Sequence, residues 1–167
     1  MTFPRTGWRV ATISLVVAIA AAIALGLWQS HQKSRVPPPI DAQKDARQEL
    51  IEAVSTNMEK YLTIRLDTLD QDVATAASVL TGPFADQFKK DSAGYIAMYK
   101  ELKVSAVAAV QQAGVVSLEG DTGVTVVFVN VTSSSVGEPE LPAIKTAAEV
   151  GLRKINGAWL IDRVDKK

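Results

Sequence analysis

The sequence predicts an α+β protein: an N-terminal transmembrane helix, then three helices packed on a curved four-stranded antiparallel sheet. Three observations predict it. Val10 to Leu27 is a run of 18 residues without a charge, Asn, Gln or Pro. Between Asp41 and Lys103 apolar residues recur at helical spacing, and after Lys103 the spacing shortens to two in valine-rich stretches. Helices grouped ahead of strands, rather than alternating with them, place the helices on one face of an antiparallel sheet.

As a helix the apolar run would rise roughly 27 Å, close to the ~30 Å hydrocarbon core of a bilayer. Trp8 and Trp28 stand at its ends, where indole rings favour the headgroup level. Ala18-Ile19-Ala20 and Ala22-Ile23-Ala24 are small-x-small sites of the kind a signal peptidase cuts. The run is nevertheless longer than a usual signal core and is closed by Trp28, Lys33 and Arg35, which favours an uncleaved anchor. The acid-free tail with Arg5 and Arg9 favours the cytoplasm. The expected organisation is a cytoplasmic tail at 1–9, a transmembrane helix at 10–28, a proline-containing linker at 29–40 and an extracytoplasmic domain at 41–167. Ser14, Ala18, Ala22 and Gly26 form a small-residue stripe on which another membrane helix would pack. Pro37-Pro38-Pro39 ends the helix and stiffens the spacer.

The first helix of the domain carries Ala46, Leu50, Val54 and Met58 every four residues, widened by Ile51, Tyr61 and Leu62. The second starts at Thr68, where Thr68 and Gln71 read as a capping box, and buries Leu69, Val73, Ala76, Ala77 and Leu80. Gly82-Pro83 ends it, and Pro83 opens the third, which presents Phe84, Phe88, Tyr95, Ile96, Tyr99 and Leu102 with a break near Ser92-Ala93-Gly94. Val104 to Val110 and Val115 to Leu118 read as strand, bent at Gly114. Gly123 to Thr132 is apolar on both faces, which predicts a central strand covered on both sides. A polar loop from Thr132 to Pro142 follows, then a strand from Ile144 to Ile155 with Ala148, Val150 and Leu152 inward. Asn156-Gly157 is a hairpin turn, and the closing strand sets Trp159, Ile161 and Arg163 on one side.

The formal charge of zero divides into +4 up to Arg35 and −4 beyond it. A mildly acidic domain has no electrostatic reason to seek nucleic acid. The absence of cysteine excludes disulfides, thiolate metal sites and cysteine nucleophiles. The one histidine, His31, precedes the prolines and is badly placed as a general base. Asp67, Asp70 and Asp72 read as helix N-terminal charge rather than as metal ligands. Asn130-Val131-Thr132 fits a glycosylation acceptor but falls within a strand. No catalytic residue, cofactor or metal is therefore expected. Phe84, Phe88, Tyr95, Tyr99 and Trp159 are the residues that would line a pocket between helices and sheet, although such aromatics more often form the core itself.

The chain resembles the Mce-associated membrane proteins of actinobacteria along nearly all its length. The likeness rests on the single span and on Thr81-Gly-Pro-Phe-Ala-Asp-Gln-Phe88. It continues through Val124-Thr-Val-Val-Phe-Val-Asn130 and Ile155-Asn-Gly-Ala-Trp-Leu-Ile-Asp162. The resemblance implies a nuclear transport factor 2-like (cystatin-like) ectodomain on the outer side of the plasma membrane. It also implies a non-enzymatic accessory subunit of an Mce-type lipid import complex, with transporter subunits, the bilayer or a second copy of the chain as partners. Similar domains serve as inner-membrane assembly factors of type IV secretion systems. The competing readings are a binder of lipid or other small molecules, an assembly component of a secretion system, and an isomerase or dehydratase on the same fold.

Overall fold

The computed structural model describes residues 43–137 and 142–167. The expected tail, transmembrane helix and linker, with Ser14, Ala18, Ala22, Gly26 and His31, lie outside them. Among the described residues no helix is long and apolar enough to cross a membrane.

Helix α1 (Lys44–Leu62) forms on the expected stripe. Leu50, Val54 and Met58 are fully buried, whereas Ala46, at the head of the stripe, is exposed. Asn57 is buried on the same side, and its Nδ2 donates to the Trp159 carbonyl at 2.7 Å. Helix α2 (Leu69–Ser78) starts at Thr68 as expected, but no capping box closes it. The Thr68 Oγ1 donates to Asp72 Oδ2 at 3.0 Å, and the same oxygen accepts the Arg65 backbone N–H at 2.8 Å. A carboxylate makes stronger hydrogen bonds than the Gln71 amide, so Asp72 organises this start. Asp72→Ala is accordingly expected to lower stability by about 0.5–2 kcal/mol, the range for lost caps, with Asp72→Asn losing less. Urea unfolding followed by circular dichroism measures both.

Helix α3 (Gly82–Leu102) carries Pro83 in its first turn and stops at Lys103, whose φ is 51°. It runs unbroken through Ser92-Ala93-Gly94, where a break was expected. The Ser92 hydroxyl bonds the Lys89 carbonyl at 2.8 Å, and this exposed stretch packs against nothing that would demand a bend. Leu102, expected on the apolar face, is exposed.

The strands β1 (Val104–Glu119), β2 (Thr122–Ser135), β3 (Ile144–Ile155) and β4 (Ala158–Lys166) pair in chain order, each antiparallel to the next. Three details differ from expectation. First, β1 is one long strand, and Gly114 pairs regularly with Val126. Its irregularities fall at Gln111 and Val116, each an extra residue that resets which side chains point inward. Second, β2 extends to Ser135 because Val104 and Ser105 of β1 still offer it a ladder. Third, the register shifts between Gly151 and Leu152, so the extra residue Asp162 turns Arg163 away from the side held by Trp159 and Ile161. Val164 then packs against the core. The Asn156-Gly157 turn is as expected: φ values of 50° and 83° give the left-handed pair that a two-residue hairpin needs.

All three helices lie on one face of the sheet. Between them and the strands sits the main core, which includes Leu50, Val54, Met58, Val127, Val129, Val150, Leu152, Trp159 and Ile161. A smaller cluster of Ile64, Leu69 and Val73 gathers Phe88, Ile96 and Tyr99 beneath the helices. The expectation that β2 is covered on both sides is thus half right. Thr125, Val127 and Val129 are buried, but on the opposite face Phe128 is 51% exposed, with Val126 only partly covered. Gly123 lies directly under α1, where a Cβ would come within 2.6 Å of Leu50 Cδ2.

Both edges of the sheet are partly closed by the helical half. The N–H groups of Ala106, Ala108 and Val110 on β1 donate to Ile64 O (2.8 Å), Thr63 Oγ1 (3.1 Å) and Glu59 Oε1 (3.0 Å). On β4, the Ile161 N–H donates to Val79 O at 2.9 Å, and its carbonyl accepts the Thr81 N–H at 2.8 Å. Over these stretches the edges offer no template for another strand.

Candidate functional site

Two open features of this domain carry exposed aromatic side chains: a groove among the helices and the uncovered sheet face. The groove forms where α1 ends. Tyr61 and Leu62 occupy its last turn, Ile64 follows in the connection to α2, and Val73 rises from α2. Phe88, Tyr95, Met98 and Tyr99 close it from α3. The cavity measures about 240 Å³. Its rings are stepped rather than stacked flat: the Tyr61 and Phe88 centroids lie 5.9 Å apart at 61°, and those of Phe88 and Tyr95 lie 5.9 Å apart at 36°. Tilted arrangements of this kind suit the quadrupoles of aromatic rings. Burial pushes the Tyr61 hydroxyl above its ordinary pKa, helped by the neighbouring Tyr95, and burial does the same to Tyr99. Both stay neutral at physiological pH.

Of the five aromatics singled out from sequence, the groove brings together Phe88, Tyr95 and Tyr99. Phe84 sits one turn earlier on α3 and packs against Tyr61 at 5.6 Å, on the side of the main core. Trp159 is not part of the groove. It lies under α1 in the main core, with Lys154 Nζ 5.5 Å from its ring centre. Spacing alone could not sort these residues, because β4 reaches the core from the far edge of the sheet. The groove residues that sequence reasoning missed are Ile64, Val73 and Met98, together with Tyr61 and Leu62, which read as core. The signal for Tyr61 was present: an aromatic at the last turn of a helix borders whatever the next element leaves open.

The uncovered sheet face divides in two. Along β1 and β2 it mixes apolar and polar side chains: Phe128 is flanked by Gln112 and Ala147, and Val126 by Gly114 and Glu149. Beside Phe128 a shallow hollow of about 470 Å³ is lined also by Gln112, Asn130 and Lys145. Along β3 and β4 it is ionic. Glu149 meets Arg163 at 3.4 Å and Lys167 at 3.1 Å, Arg163 meets Asp165 at 2.7 Å, and Arg153 meets Asp162 at 3.4 Å. Exposed pairs of this kind add little stability, but they hold charges of both signs in a defined pattern. Among the described residues no three His, Cys, Asp or Glu side chains gather as metal ligands would.

No family model matches the chain. The outer membrane protein Rv1973 of Mycobacterium tuberculosis (strain H37Rv) is 34% identical over 121 residues, spanning 72% of this chain and 75% of that protein. The chain belongs to the family of Rv1973. An uncharacterized protein of the same organism, Rv1362c, is 36% identical over 128 residues, 74% of this chain, which spans 57% of that relative's length. Among solved structures, an IcmL-like type IV secretion system protein from Legionella pneumophila superposes with a TM-score of 0.62. That match covers 72% of this chain and 91% of that one at 8% identity. A likeness so remote in sequence shows the fold alone: this member of the Rv1973 family has the nuclear transport factor 2-like α+β architecture that the resemblance implied. Phe88, Tyr95 and Phe128 therefore sit on a scaffold shared with proteins of widely different sequence, and their roles must be argued from their own surroundings.

Proposed function

We propose that this chain is a non-enzymatic accessory subunit of a multi-protein complex in the cell envelope, of the Mce lipid-import type. In this reading the N-terminal helix is the anchor, with its N-terminus in the cytoplasm and the α+β domain on the outer side of the plasma membrane. The resemblance in the sequence supports the Mce assignment, and the kinship with Rv1973, an outer membrane protein, supports an envelope location. The observation that carries the protein-binding role is the uncovered sheet face. A half-exposed Phe128 beside Val126 and Ala147, ringed by Gln112, Asn130, Lys145 and the ion pairs of β3 and β4, has the small apolar centre and polar rim of an interface. A second reading, an assembly component of a secretion system, is favoured by the fold shared with the IcmL-like protein.

The test is a gentle-detergent pull-down of the full-length chain from its native membrane, read by mass spectrometry, beside Phe128→Glu. Burying a carboxylate at the centre of an apolar contact should lower partner recovery about tenfold or more, while the melting temperature stays unchanged. Recovery of Mce proteins and their permease supports the first reading, and recovery of secretion components alone supports the second. A chain that comes down by itself, or a Phe128→Glu variant that captures partners as well as wild type, removes the proposal.

A further inference from the structure

The helix groove has no part in that reading, and its chemistry is distinct. All eight of its lining side chains are uncharged, and four are aromatic. An anion entering it would lose water without gaining a cation, and a cation would find no carboxylate, so charged ligands are disfavoured. Size narrows the choice further. An apolar cavity of about 150 Å³ takes one benzene ring, and drug-sized ligands occupy about 300–1,000 Å³. The volume of about 240 Å³ therefore suits one substituted ring or a short hydrocarbon segment.

Polar groups are present but few. The hydroxyls of Tyr61, Tyr95 and Tyr99 are the side-chain hydrogen-bonding groups of the lining, and Tyr95 lies near enough to Tyr61 to help raise the Tyr61 pKa. A neutral hydroxyl can donate to an oxygen acceptor or accept from an alcohol. Tyr95 and Met98 form an open rim, 40% and 45% exposed, and methionine adapts its shape readily to an incoming apolar group.

We propose that the groove bounded by Tyr61, Val73, Phe88, Tyr95, Met98 and Tyr99 binds one uncharged, largely hydrocarbon molecule through a single hydroxyl or carbonyl oxygen. The site lies outside the space between helices and sheet, which the main core fills. It belongs to the helical layer and leaves the Phe128 face free for a protein.

The experiment uses the full-length chain in detergent and two photolabels, a phenyl-diazirine benzyl alcohol and the corresponding benzoic acid. Trypsin releases Asp91 to Lys100 as one peptide, which contains Tyr95, Met98 and Tyr99. The alcohol is expected to label this peptide saturably, excess decanol to prevent it, and the acid to label it about tenfold less. That tenfold difference corresponds to about 1.4 kcal/mol, less than an uncompensated buried charge costs. Met98→Trp, a rim change that leaves the core intact, should abolish labelling of the peptide, while Phe128→Glu should leave it unchanged. Equal labelling by alcohol and acid, labelling that does not saturate, or labelling that survives Met98→Trp overturns the proposal. So does protection by a co-purified protein and not by decanol, which would make the groove a seat for a partner's side chain.

Discussion

Trp159→Ala is expected to destabilise the domain by about 3–5 kcal/mol, the range for deleting a large buried aromatic. Trp159 is 6% exposed and sits where β4, α1 and the β3–β4 hairpin converge. Its carbonyl is held by Asn57, and its ring lies beneath the Lys154 ammonium, which also pairs with Glu49 at 2.7 Å. Removing the indole therefore leaves a cavity in the core and takes away the ring on which Lys154 rests, while the Asn57 bond to the backbone carbonyl remains. Trp159→Phe separates these effects. The indole Nε1 is buried without a hydrogen-bond partner among the described residues. Replacing an unpaired donor by carbon relieves a desolvation penalty of about 1–3 kcal/mol, which offsets part of the lost volume. Phenylalanine should thus cost well under half of what alanine costs. Urea unfolding of the full-length variants, with slopes compared to exclude changes in the unfolded state, measures both. An alanine variant within about 1 kcal/mol of wild type would mean that the ring is not in the core.

The second large effect is at Leu50. Its side chain is fully buried at the centre of the α1 stripe, and Leu50→Ala should cost about 2–5 kcal/mol. Its partner is a residue without a side chain. A Cβ at Gly123 would stand 2.6 Å from Leu50 Cδ2, so Gly123→Ala should cost about 1–3 kcal/mol through overpacking. Combined, the two changes should not add. The methyl at 123 enters space that Leu50→Ala vacates, giving a favourable coupling of about 0.5–3 kcal/mol in a double-mutant cycle. Additive losses would show that helix and strand do not meet at this point.

What the sequence made legible was local. The Leu50, Val54 and Met58 stripe, the start of α2 near Thr68 and the Asn156-Gly157 turn are carried by residues within a few positions of each other. Periodicity and turn chemistry report such features directly. The bulges at Gln111, Val116 and Asp162 were not legible, because a bulge belongs to the register of two strands rather than to one. Valines on both faces of β2 read as burial on both sides. Whether Phe128 meets helices or water depends on which face the helices choose, and nothing in β2 records that choice. The groove was half legible for a related reason. Phe88, Tyr95 and Tyr99 share one helix face and so travelled together in the reading. Trp159 was grouped with them by residue type alone, although 102 positions of chain separate it from Asn57, to which it is bonded.

That separation has a consequence in time. A chain that emerges N-terminus first presents Leu50, Val54 and Met58 long before the strand that carries Trp159 exists to cover them. At synthesis rates of about 5–20 residues per second, the interval is roughly 5–20 seconds. An α1 stripe only partly covered, by β1 and β2, for much of that interval is a natural place for chaperone capture or premature clumping. The hairpin of β3 and β4, last to arrive, closes the domain.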